Sequence, residues 1–200
     1  MTTSKVNPEK DQDRVYDLFE MFRDHKRVMF SQQELIYNNL AEYLSLAPPT
    51  ILEAGCGTGQ GTAILERVAK DIIGTDKLQD NVDFANAIYP WIDFGTWDLN
   101  ESTPYTAPVV VCIEAFEHVA DPQKAMNNLL DATGRTLWLS TPNGNGKPRP
   151  PENPYHVCEY TPHEILEFVA PRLVTIRHWE TWEPQNTDTL IDPLVYEIQK

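Results

Sequence analysis

Hydrophobic positions change their spacing along this chain, and the changes mark out its elements. Between Arg14 and Arg27 the apolar residues Val15, Leu18, Phe19 and Phe22 recur at helical spacing. A second amphipathic segment, Ser31 to Leu46, puts Leu35, Ile36, Leu40, Tyr43 and Leu44 on one side, and Pro48-Pro49 stops it. From Thr50 to Ser140 short apolar runs alternate with helical segments. The runs begin at Thr50, Ile72, Ile92, Pro108 and Gly134; the helices cover Thr62 to Lys70, Lys77 to Tyr89, and Asp121-Pro122 to Ala132. Such alternation predicts a parallel sheet with right-handed crossovers. Pro108-Val109-Val110-Val111-Cys112-Ile113 is continuously apolar, as suits a central strand covered on both faces. Pro142 to Pro154, rich in Pro, Gly and Asn, is a long loop. Thr161-Pro162 then opens a helix through Ala170, with Thr161 as its cap, and Leu173 to His178 and Leu194 to Ile198 supply strands six and seven. The pattern holds no internal repeat and no second domain. Met1 to Asp13 is expected to be a disordered tail, and residues 14–200 a single domain.

The first strand runs into Glu53-Ala54-Gly55-Cys56-Gly57-Thr58-Gly59-Gln60-Gly61. Strand, glycine turn and helix let a backbone approach a nucleotide-like ligand closely. A dinucleotide loop needs G-x-G-x-x-G, but Gln60 or Thr62 stands where its third glycine should be. What stands here is G-x-G-x-G behind an acid. It closely resembles motif I of the class I S-adenosylmethionine (SAM) dependent methyltransferases. Asp76 ends the second strand about 20 residues on, where a doubly wound sheet presents a carboxylate to a ribose diol. Asp98, after the third strand, stands where the acid of those methyltransferases accepts from the adenine amino group. The resemblance implies a Rossmann-like α/β fold: a seven-stranded mostly parallel sheet with helices on both faces and two extra N-terminal helices. It implies cofactor contacts from Glu53, Gly55, Cys56, Gly57, Gly59, Asp76, Lys77, Trp97, Asp98, Leu99, Ile113 and Glu114.

After the fourth strand comes Glu114-Ala115-Phe116-Glu117-His118. In a helix, Glu114, Glu117 and His118 would share one face at i, i+3 and i+4. With His156 from beyond the long loop they would form a divalent-cation site, whose oxygen-rich ligands suit Mg²⁺ or Mn²⁺ better than zinc. Glu-x-x-Glu-His, then Ser140-Thr141-Pro142-Asn143, then a His before Glu159-Tyr160-Thr161, looks like the small-RNA 3′-terminal 2′-O-methyltransferases, where two glutamates and two histidines hold a metal. The same Glu-x-x-Glu-His is similar to the ubiquinone-biosynthesis O-methyltransferases, which act on catechols. A metal-free role stands beside this one: Glu114 would meet the methionine end of SAM, and His118 or His156 would act as catalytic base.

The formal charge of −14 shows no basic footprint for nucleic acid or an anionic membrane. The acceptor expected is therefore a hydroxylated small molecule or glycan. RNA termini, and a non-catalytic SAM-binding module, are the alternatives. Three cysteines without C-x-x-C spacing point to a reducing, cytoplasmic setting, and no apolar run approaches the ~20 residues of a membrane span. Among weaker candidates, Lys147 and Arg149 are placed to meet an anionic substrate or solvent. Tyr155, Tyr160, Trp179 and Trp182 line an acceptor pocket or the core. His25 and His163 read as surface or packing residues.

Overall fold

The computed structural model describes residues 31–177 and 194–200. The chain runs α1 (Ser31–Ser45), β1 (Thr50–Ala54), α2 (Gln60–Glu66), β2 (Asp71–Asp76), α3 (Gln79–Ile88), β3 (Asp93–Thr96), β4 (Ala107–Ile113), a single 3₁₀ turn (Phe116–His118), α4 (Pro122–Ala132), β5 (Thr133–Thr141), α5 (Pro162–Val169), β6 (Val174–Arg177) and β7 (Leu194–Gln199). The strands form one sheet in the order β3-β2-β1-β4-β5-β7-β6. All neighbours pair in parallel except β7, which runs antiparallel to β5 and β6.

Strand periodicity decides how the two faces are filled. On one face Ile51, Val109, Val111, Ile113, Trp138 and Val195 pack under α1 and its residues Ile36, Tyr37, Leu40 and Leu44. On the other, Leu52, Val110, Cys112, Leu137, Leu139 and Tyr196 pack under α4 and α5 through Met126, Leu129, Ile165 and Val169. That is why β4 reads as one unbroken apolar run: both of its faces are inside. The expected α/β fold is the one observed. The expected helix over Arg14 to Arg27 lies outside the described residues, as does the tail before it.

Helix starts obey local chemistry. Asp121 caps α4, accepting from the Lys124 amide, with Pro122 in the first turn. Thr161 and Glu164 form a reciprocal capping box at the start of α5. The segment after β4 differs from its expected form. Glu114 sits at φ 52°, in the left-handed region, and Phe116 to His118 make one 3₁₀ turn rather than an α-helix. Glu114, Glu117 and His118 therefore do not share a helical face.

The order of strands reverses between β1 and β4, since β2 lies outside one and β5 outside the other. Ligands of open α/β sheets bind at the carboxyl ends of the strands at such a switch point. Gly55 comes directly after β1 there, and Glu114 directly after β4.

Candidate functional site

The glycine turn after β1 is held from the neighbouring strand. The Gly55 and Cys56 amides both donate to the Thr75 carbonyl, at 2.8 and 2.9 Å, and the Gly57 amide donates to Asp76 Oδ2 at 2.9 Å. Asp76 Oδ1 accepts from the Leu78 amide and from Asn81 Nδ2. Asp76 thus ties β2, the start of α3 and the loop together. A carboxylate offers about four lone-pair sites, so room remains for one further donor. Gly55, at φ +79°, has no space for a side chain, because a Cβ there would stand 2.4 Å from that of Ala115. Gly57, at φ +54°, faces open space instead, with no atom within 4 Å of where its Cβ would be. At Gly57 the loop forms a cradle whose backbone a ligand can approach closely.

Glu53 lies beneath this loop and is fully buried. Its Oε1 accepts from the Tyr37 hydroxyl of α1, and among the described residues its Oε2 makes no hydrogen bond. Burial pushes its carboxyl up to about 7, against the opposing pull of the Thr62 and Tyr37 hydroxyls. Trp97 and Leu99 are buried, with the indole N–H donating to the Glu101 carbonyl. Asp98 between them is exposed and accepts from the Asn100 amide. Cys56 and Ile113 are buried, and Lys77 is exposed.

Beside the cradle, on the β4 and β5 side, is a second group. Glu117, His118 and His156 each offer a ligand atom, and these atoms lie within 4.8 Å of one another. The His118 and His156 Nε2 atoms stand 3.7 and 4.0 Å from Glu117 Oε1, with the rings edge to face at 5.1 Å. Glu117 is only 1% exposed, and Thr141 Oγ1 donates to its Oε2 at 3.3 Å. Its backbone carbonyl accepts from the Val157 amide at 2.8 Å and the Cys158 amide at 3.3 Å, which draws the far end of the long loop onto the turn. A buried carboxylate flanked by two imidazoles is a donor set that fits a divalent ion.

Glu114 stands apart from this cluster. Ser140 Oγ donates to its Oε1, and burial pushes its carboxyl up to about 7 while the Ser140 hydroxyl and the Lys147 charge pull the other way. Its carboxyl meets Ser140 of β5, and it is not among the three residues whose ligand atoms converge. Two imidazoles and one carboxylate also shift the preference from Mg²⁺ toward d-block ions such as Mn²⁺.

A family model for the methyltransferase domain matches residues 22–192. The chain belongs to this family, the class I SAM-dependent methyltransferases. A protein of Mycolicibacterium smegmatis named a probable SAM-dependent methyltransferase is 30% identical over 148 residues, 70% of this chain and 56% of that protein. The chain spans about half the length of the curated relatives it matches. Among solved structures, a TehB-like SAM-dependent methyltransferase from Corynebacterium glutamicum superposes with a TM-score of 0.66 at 19% identity, over 97% of this chain and all of that one. Magnesium protoporphyrin IX methyltransferase from Synechocystis, solved with bound SAM, superposes with a TM-score of 0.69 at 16% identity, over 99% of this chain and 100% of the other. These two share the methyltransferase fold.

Several residues around the candidate site were given no role of their own by the sequence: Tyr37, Asn100 and Asn153, and Ser140, Thr141 and Glu159, which stood there only as parts of a motif. Tyr37, Asn100, Ser140 and Thr141 act through partners 16 to 26 positions away, so no local spacing exposes them, whereas Asn153 and Glu159 each lie three positions from His156. The weaker candidates are settled by packing. Tyr160 is core, against Phe116 and Phe168. Tyr155 is half-buried. Lys147 pairs with Glu159 at 2.7 Å, and Arg149 with Glu164. His163 is exposed, 3.4 Å from Glu167. His25, Trp179 and Trp182 lie outside the described residues. Among those residues no helix is long and apolar enough to cross a membrane.

Proposed function

We propose that this protein transfers the methyl group of SAM to a hydroxyl of a small molecule or glycan, beside a divalent ion held by Glu117, His118 and His156. The observation that carries the reading is the convergence of two imidazole Nε2 atoms on one buried carboxylate, next to the glycine cradle at the switch point. Asp98, exposed at the rim, takes the adenine amino group, and the remaining lone pair of Asp76 takes a ribose hydroxyl. Gly57 leaves its backbone open to the ligand, and Glu114 borders the end of the cradle nearest β5.

When bound, SAM supplies an electrophilic methyl group on a sulfonium, and a divalent ion supplies polarisation of the acceptor hydroxyl. The protein contributes the rest. It presents the acceptor oxygen to the cradle from the side of the 3₁₀ turn, and the Nε2 of His118 or His156 takes the hydroxyl proton when that atom is not engaged as a ligand. Holding two reactants in line is worth roughly 7–11 kcal/mol of barrier, which leaves little for covalent catalysis to supply. The charge of −14 disfavours a polyanionic acceptor. Three free cysteines fit a reducing, cytoplasmic setting.

The test is calorimetric. Mn²⁺ and Mg²⁺ are titrated into the full chain saturated with S-adenosylhomocysteine (SAH), and into Glu117→Gln. Stoichiometric Mn²⁺ uptake, weaker for Mg²⁺ and lost in the variant, is expected. Absence of Mn²⁺ uptake by the wild type would remove the metal and leave a histidine base acting alone. Absence of SAH binding would remove the methyltransferase reading itself.

A further inference from the structure

Each ring nitrogen of His156 meets a partner whose role is fixed. Asn153 Oδ1 accepts from the Tyr155 amide at 3.0 Å, and an amide N–H can only donate. That settles which end of the Asn153 side chain is which, and its Nδ2 donor is the atom 2.9 Å from His156 Nε2. A neutral imidazole facing a donor at Nε2 presents its lone pair there and carries its proton on Nδ1. On the opposite side of the ring, Nδ1 lies 2.8 Å from Glu159 Oε1, which accepts. Both contacts give the same tautomer.

Glu159 is built to keep that role. It is buried, and its second oxygen meets Lys147 Nζ at 2.7 Å, so the carboxylate is held at both ends. His118 reaches the same tautomer differently, through Nδ1 donating to the Tyr155 carbonyl at 2.8 Å. One histidine is therefore oriented by backbone and the other by a side chain.

We propose that Glu159 is the positioning residue of this site: it holds the Nδ1 proton of His156, and so keeps a lone pair, accepting from Asn153, on the Nε2 atom that stands 4.0 Å from Glu117 Oε1. Without that acceptor only the Asn153 donor opposes a proton on Nε2, and a proton there would remove the lone pair from the atom nearest Glu117. Oxygen acceptors on the outer nitrogen commonly fix imidazoles that bind metals or act as bases. The use made of the lone pair rests on the proposed function; the tautomer does not.

The measurement is a long-range ¹H–¹⁵N spectrum of the full chain labelled with ¹⁵N-histidine at neutral pH, with the His156 signals identified by their loss in His156→Gln. The wild type is expected to be protonated at Nδ1. Glu159→Gln, whose amide can turn its NH₂ toward the ring, should move at least half of the population to the Nε2–H form. Lys147→Met keeps both carboxylate oxygens and should retain the wild-type pattern. A wild type protonated at Nε2 would overturn the proposal, as would an unchanged spectrum in Glu159→Gln. A switch in Lys147→Met would also overturn it, by assigning the role to the ion pair. Should Glu159→Gln fail to fold, Glu159→Ala, which removes the acceptor outright, is read in its place, and an unchanged spectrum there would likewise overturn the proposal. No cofactor or metal is needed, so the result stands apart from the methyltransferase reading.

Discussion

Gly55 and Gly57 share a left-handed backbone but differ in what surrounds them, and that difference separates stability from binding. A non-glycine residue in this region costs on the order of 1–3 kcal/mol. At Gly55 a methyl group would also meet the Ala115 Cβ at 2.4 Å, and overpacking of this kind adds about 1–3 kcal/mol. Gly55→Ala is therefore expected to lose roughly 2–6 kcal/mol in urea denaturation. Gly57→Ala should lose only the strain, about 1–3 kcal/mol. Its methyl would enter the open space over the loop, so SAH affinity measured by calorimetry should fall by about tenfold or more, a loss of roughly 1.4 kcal/mol. Equal destabilisation in the two variants, with SAH binding intact in Gly57→Ala, would place the ligand elsewhere. Glu114 makes a related point about legibility. Its left-handed backbone left no trace in the sequence, because glutamate is not a residue that advertises φ > 0. The helix expected over Glu114 to His118 was a reasonable extension of an i, i+3, i+4 pattern, and one dihedral undid it.

At the level of elements, the loop that carries Asp98 depends on a tie that spans two loops. Asn100 Nδ2 donates to the Asp121 carbonyl at 2.9 Å, and Asn100 Oδ1 accepts from the Ala120 amide at 3.1 Å. The side chain thereby joins the loop after β3, which carries Asp98, to the start of α4. Asn128 adds a donor to the Leu99 carbonyl from α4 itself. Each such bond contributes about 0.5–1.5 kcal/mol net, so their loss would unfix the loop without unfolding the sheet. Asn100→Ala should weaken SAH binding about five- to tenfold and lower the melting temperature by only a few degrees. A large drop in melting temperature with unchanged affinity would make Asn100 a structural residue only. Element starts were legible because they obey local rules: Asp121-Pro122 and Thr161-Pro162 both cap helices as expected. The glycine turn and the acids at the ends of β2 and β3 were legible for the same reason. Ties such as Asn100 to Asp121, Ser140 to Glu114 and Tyr37 to Glu53 were not. They join positions that only the sheet order brings together, and their residue types are common on any surface.

Taken whole, the molecule places carboxyls where its own charge makes them costly. A sheet buried on both faces ends β1 with Glu53 inside, in a protein of net charge −14. Glu53 has its carboxyl raised from 4.5 to about 7, chiefly by burial. A group raised on folding binds its proton more tightly in the folded state, so its favourable contribution is complete below the unfolded value and is lost as pH rises through the folded one. For Glu53 that window runs from about 4.5 to 7, at up to about 1.4 kcal/mol per pH unit. Glu114 adds the same sign over the same window. Glu164 runs the opposite way, but Arg149 holds it at about 2, so its contribution is already present above 4.5 and fades only in stronger acid. Self-repulsion grows with pH as well, yet salt screens it, whereas a buried carboxyl is screened far less. The melting temperature at high salt is therefore expected to fall as pH rises from 5 to 8. Glu53→Gln removes the titration and keeps an acceptor for the Tyr37 hydroxyl, so its curve should be flatter. It should meet the wild type near pH 5, where Glu53 is already protonated, and exceed it by several degrees at pH 8. Parallel curves would mean that Glu53 reaches solvent and that the carboxyl beneath the cradle is ionised at neutral pH. A higher melting temperature accompanied by weaker SAH binding would show instead that this buried acid is kept for the cofactor, at the expense of the fold.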